Sequence, residues 1–176
     1  SMIENETEEE ETQVKADADG NIASGVIDKE YGHITWVIDA DGKLTVEGTG
    51  DFAPPSDNNA LNDKRAPWYT ERIEIKTAEI NVQGMTDASY MFDAHTNLTS
   101  VDFRNFDTSK VKNMADMFYL CKNLESLDLS SFDTGNVTNM KYMFDSCKEL
   151  TSLDVSSFDT RSTTCMWSMF IGCSGL

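Results

Sequence analysis

At 176 residues the chain has room for one compact domain or for a short domain followed by a repeat array, and 39% hydrophobic residues with 10% aromatics suffice to bury a core. Its 31 acidic residues face only 14 basic ones, a net charge of −17, and no Lys/Arg cluster is available for a phosphate backbone, which excludes nucleic acid as a partner. No apolar run is long enough for a signal peptide or a membrane span, so no membrane insertion is expected within this segment and any export signal or anchor lies outside it.

The chain opens with "ENETEEEETQ", residues 4–13, which has almost nothing apolar to bury. Residues 1–24 are accordingly expected to be a disordered acidic linker. From Gly32 the pattern changes to "GHITWVIDADGKLTVEGTGDF", where Ile34, Trp36 and Ile38 alternate with polar or smaller neighbours and a second β-rich run, Leu44 to Val46, follows "DADG". This predicts a β-hairpin unit over 25–64, with Gly42 at the turn position that needs positive φ. Calcium is rejected at both "DADG" stretches. Placing Gly42 at position 6 of an EF-hand loop puts Val37 and Gly48 where acidic ligands are required, and placing Gly20 there puts Lys15 and Val26 in those positions. "APPSDNNALNDKRAPW" then reads as a crossing loop.

The remainder repeats itself. "MFDAHTNLTSVDFRNFDTSKVKNMAD" (91–116), "MFYLCKNLESLDLSSFDTGNVTNMKY" (117–142), "MFDSCKELTSLDVSSFDTRSTTCMWS" (143–168) and the fragment "MFIGCSGL" share a period of 26, with Met91, Met117, Met143 and Met169 evenly spaced. Residues 65–90 align loosely and are expected to form a degenerate capping coil before an array at 91–176. In "SLDLS", Leu127 and Leu129 alternate with Ser126, Asp128 and Ser130, as in a short strand. Met140 and Met143 share one face of a helical turn. The expected fold class is thus a repeat solenoid: leucine-rich-repeat-like coils of short parallel β-strands and helical turns, preceded by a small β-hairpin capping unit. The sequence ends eight residues into a coil, which leaves a truncated chain, a separate cap or self-association through the uncapped C-terminal end as expectations.

"MFxxCxxLxxLDLSxFDTxxVTNMxxMF" resembles the bacterial surface protein 26-residue repeat, the BspA-like leucine-rich repeat found on exported proteins and lipoproteins of Gram-positive bacteria and mycoplasmas. The resemblance covers about residues 85–176; His95 stands where it wants Cys, and "RSTTC" where it wants "xNVTN". It implies an extracellular protein, wall- or lipid-anchored at the cell surface, whose repeats contact a host or bacterial surface protein or a glycan. It brings no enzymatic activity and no cofactor.

Several residues recur where chemistry could sit. Cys121, Cys147 and Cys173, with His95 in register, have the composition of a zinc set, but zinc ligands lie within about 4.6 Å of one another while equivalent atoms of stacked strands are at least about 4.8 Å apart. These thiols are expected to pack as small hydrophobes, and no metal site is assigned. Asp107, Asp133 and Asp159, each in "FDT", are expected to accept turn N–H groups, with Asn81 doing so in the capping coil. The outward strand positions are the binding candidates: Asp102, Asp128 and Asp154, with Ser126, Ser152 and Arg104 beside them. Carboxylates stacked about 4.8 Å apart repel unless a cation or a basic partner compensates them. His33 and His95 have no nucleophile or phosphate-loop motif near them, so the chain is not expected to be an enzyme. The expectation is an adhesion and protein-interaction module, with a structural spacer projecting another domain as the alternative.

Overall fold

The computed structural model describes residues 17–53 and 65–176. Strands β1 (Ala23–Lys29), β2 (Gly32–Ile38), β3 (Lys43–Gly50), β4 (Thr77–Gln83) and β5 (Ser100–Asp102) form one sheet in chain order. Its first two pairings are antiparallel and its last two parallel. Alternation decides which face is buried. Ile34, Trp36 and Ile38 of β2, Leu44 and Val46 of β3, Ala78, Ile80 and Val82 of β4 and Val101 of β5 all point into one core. The β2–β3 turn is the "DADG" stretch: Gly42 has φ +82° and its N–H donates to Asp39 O at 3.0 Å, while Asp39 Oδ1 accepts from Asp41 and Lys43. Gly48, at φ +136°, lies so close to β2 that a Cβ would sit 2.0 Å from His33 O.

The hairpin does not cap a solenoid. Its strands are continuous with β4 and β5, and the architecture is one open mixed sheet followed by turn-rich repeats, in place of the expected leucine-rich-repeat coils. "SLDLS" and "SLDVS" form no strand, and "NMKYMF" forms consecutive turns; among the described residues the one helical element is the 3-10 turn Tyr69–Glu71. Two local effects explain this. Asp128 and Asp154 each turn Oδ1 back onto the N–H two residues ahead, in Ser130 and Ser156, in place of a ladder partner, and Asp102 makes the same bond to Arg104 where β5 ends. Tyr90, Asp116, Tyr142 and Ser168, and again Ala94, Leu120 and Ser146, have φ between +55° and +63°, which no right-handed helix tolerates.

The 26-residue period survives as isolated parallel bridges, Asp87 to Asn113 to Asn139 to Cys165, and as side-chain stacking. Phe92, Phe118, Phe144 and Phe170 stack at 5.6–5.7 Å. Alternate N–H groups donate to carbonyls 25 residues on: Tyr90 to Ala115, Phe92 to Met117, Phe118 to Met143, Phe144 to Met169. At the first repeat Met91 O has no preceding N–H to accept from, and the indole Nε1–H of fully buried Trp68 supplies one at 3.1 Å. Sheet and repeats are joined by Asp51, whose Oδ1 accepts the Thr86 and Asp87 N–H groups and whose Oδ2 accepts the Thr86 hydroxyl. Residues 1–16 of the expected linker 1–24 lie outside the described residues, as do 54–64, most of the crossing loop; Ala23 and Ser24 of that linker belong to β1.

Candidate functional site

The outer face of β3, β4 and β5 carries the binding candidates. Register places Lys43, Thr77 and Ser100 in one row and Thr45, Glu79 and Asp102 in the next. Two acids, Glu79 and Asp102, therefore lie side by side, and each has a cation of its own. Lys43 Nζ is 2.7 Å from Glu79 Oε2, and Arg104 forks onto Asp102 with Nε 3.0 Å from Oδ1 and Nη2 2.6 Å from Oδ2. The guanidinium hydrogen bonds and the Arg104 N–H hold the Asp102 carboxyl down at about 2. A shallow cleft of about 420 Å³ opens between these pairs and the turn at Asp128, Ser130 and Ser131.

The acidic stripe is less free than its pattern suggests. Asp128 and Asp154 are exposed and have no ion pair among the described residues, and the bonds from Ser130 and Ser156 lower both carboxyls. Ser126 and Ser152 are exposed beside them. Compensation that could have come from a partner comes, at Asp102, from Arg104 of the same turn. This face offers carboxylates, hydroxyls, a guanidinium and an ammonium, a set suited to hydrogen-bonding a polar surface.

The "FDT" aspartates sit in turns: Asp107 Oδ1 accepts from Ser109, Asp133 Oδ1 from Gly135 and Asp159 Oδ1 from Arg161, each at 3.0 Å. The threonine that follows matters as much and went unread. Buried Thr108 donates its hydroxyl to Asp133 O and accepts from Asp133 N, and Thr134 does the same to Asp159. Asn81 does not cap a turn; its Nδ2 donates to Glu79 and its Oδ1 accepts from Asn105.

Cys121, Cys147 and Cys173 donate Sγ–H to Phe92 O, Phe118 O and Phe144 O. Burial raises all three thiols, Cys147 to about 12. His95 takes the same place with different consequences. Its Nδ1–H donates to Asp93 O at 2.9 Å, its fully buried Nε2 has no partner, and burial pushes its pKa down to about 4. Among the described residues no group of three His, Cys, Asp or Glu side chains could hold a metal ion. No helix among them is long and apolar enough to cross a membrane.

A second groove, of about 520 Å³, was not anticipated. Two rows line it: Tyr90, Asp116 and Tyr142, and three residues further on Asp93, Tyr119 and Asp145. Tyrosine and aspartate alternate along each row and are out of phase between them. Asp93 and Asp145 are more than nine-tenths buried. Burial chiefly, with Asp93 adding and Lys141 opposing, pushes Asp116 up to about 6. Tyr90, half-buried beside Asp116, is pushed to about 12.

Residues 64–176 match the family described as Mycoplasma protein of unknown function, DUF285. No curated protein and no solved structure matches the chain. The match corrects the resemblance drawn from "SSFDTGNVTNMKYMF", since the family found over the repeats is not the BspA-like leucine-rich-repeat family, and the leucine-rich-repeat description lapses with it. The chain belongs to the Mycoplasma family of unknown function DUF285.

Proposed function

We propose that the chain is an adhesion module, exported to the cell surface, that holds a protein or glycan partner through the outer face of β3, β4 and β5. The observation that supports this reading is the polar cleft in which the paired groups Lys43–Glu79 and Arg104–Asp102 meet the exposed turn of Asp128 and Ser130. Groups held in place by their neighbours lose little side-chain entropy on binding, so such a cleft suits recognition of a polar surface.

The test is binding of the purified chain to a panel of matrix proteins and glycans, with and without calcium. Beside it runs the triple variant Asp102→Asn, Asp128→Asn, Asp154→Asn, in which each Asn keeps an Oδ1 to accept the N–H two residues ahead. Capture by the intact chain and loss in the variant is the expected outcome. No capture of any member by the intact chain removes the reading and leaves a structural spacer in its place.

A further inference from the structure

We infer that the groove between the Tyr90 and Tyr119 rows binds the Lys or Arg side chains of a basic polypeptide segment. Its walls have the right chemistry, because tyrosine faces attract a cation within about 6 Å of the ring centre and carboxylates beside them supply the counter-charge. The groove already seats the protein's own cations in this manner. Lys141 Nζ lies 4.7 Å over Tyr142 and 5.4 Å over Trp167, and the Arg65 guanidinium lies 4.2 Å over Tyr69 with Nε 3.4 Å from Asp93 Oδ2.

Carboxylates nevertheless outnumber those cations. Asp145 is 7% exposed, its Oδ1 accepts the Ser146 hydroxyl, and its Oδ2 has no hydrogen-bond partner among the described residues. Asp116 has no ion pair there either. A carboxylate whose second oxygen opens on the groove accepts readily from an ammonium or guanidinium donor. A neutral glycan would stack on the tyrosines but bring no charge to the aspartates. The net charge of −17 draws the same class of partner at longer range. This groove is separate from the outer cleft, and the two readings stand or fall independently.

The probe is a fluorescein-labelled hexapeptide of alternating Lys and Arg, titrated by anisotropy at low and at physiological salt. Asp116→Asn removes one groove charge at a left-handed position that Asn tolerates. Tyr119→Leu removes a ring face while keeping an apolar body, and Glu30→Gln removes the same charge from the exposed turn between β1 and β2. The expected result is saturable binding, weakened roughly three- to fivefold by each groove variant and unchanged by Glu30→Gln. Absence of saturable binding overturns the proposal. So does equal weakening by Asp116→Asn and Glu30→Gln, which marks a general response to net charge, and so does displacement of the peptide by a neutral hexasaccharide.

Discussion

His95 makes one position of the repeat sensitive to acid. Asp93 O takes the Nδ1 proton, the ring is fully buried against Phe92, and Nε2 has no acceptor to share a second proton with. Burial, with a smaller contribution from Arg72, lowers its pKa from 6.5 to about 4. An unfolded chain protonates the same ring near 6.5, so below that pH the unfolded state binds a proton that the folded state refuses. The stability at stake is therefore present above the unfolded value and is lost as pH falls toward 4. Linkage with these two values gives a loss of about 2 kcal/mol between pH 8 and pH 5. Asp116 titrates in the same window with the opposite sign: its raised carboxyl lets the folded state hold a proton that the unfolded state releases, so its contribution improves as pH falls. A His95→Cys variant, which places in this repeat the residue found at 121, 147 and 173, leaves the Asp116 contribution common to both proteins. Urea unfolding of the two at pH 8, 6.5 and 5 should show their difference moving toward the variant by about 2 kcal/mol across that range. A difference that does not change with pH would refute a neutral, buried His95.

Asp51→Ala strands the N–H groups of Thr86 and Asp87 beneath the sheet and should cost about 2–4 kcal/mol in denaturant unfolding; a change below about 0.5 kcal/mol would show that the clamp is dispensable. Asp133→Ala should lower stability by about 1 kcal/mol through loss of the Gly135 N–H bond, with an unchanged melting temperature as the contrary result. With a thiol reagent at pH 8, Cys121 and Cys147 should stay unreacted in the folded protein, because burial keeps both as thiols, and should react at once in denaturant; rapid labelling of either when folded would contradict their packing.

Much of this was legible in the sequence where the cause is local. "DADG" encodes its own turn, since Asp39 supplies the acceptor and Gly42 the positive φ. The even spacing of Met91, Met117, Met143 and Met169 is shared by the phenylalanine that follows each, and the rings of Phe92, Phe118, Phe144 and Phe170 stack. β1 was missed because it is an edge strand whose Val26 is 72% exposed, and because Gly25 lacks a side chain where the Trp36 ring lies across it. The stretches 126–130 and 152–156 form no strand and the equivalent one yields only Ser100–Asp102; in all three an outward Asp takes the backbone N–H two residues on, which alternation cannot register. The Asp51 clamp joins residues 35 apart in sequence, and no local pattern announces it. The second groove leaves a faint signal, an alternation of Tyr and Asp at 90, 116 and 142 and again at 93, 119 and 145, visible once the two rows are set side by side.

Backbone amide NMR of the labelled chain, recorded as members of the matrix-protein and glycan panel are added in turn, tests most directly whether the outer face is a recognition surface. A binding member should shift amides around Glu79, Ser100, Asp102, Arg104, Asp128 and Ser130 and leave those of β1 in place. A spectrum unmoved by every member of the panel, or a partner whose shifts fall elsewhere on the chain, would contradict it.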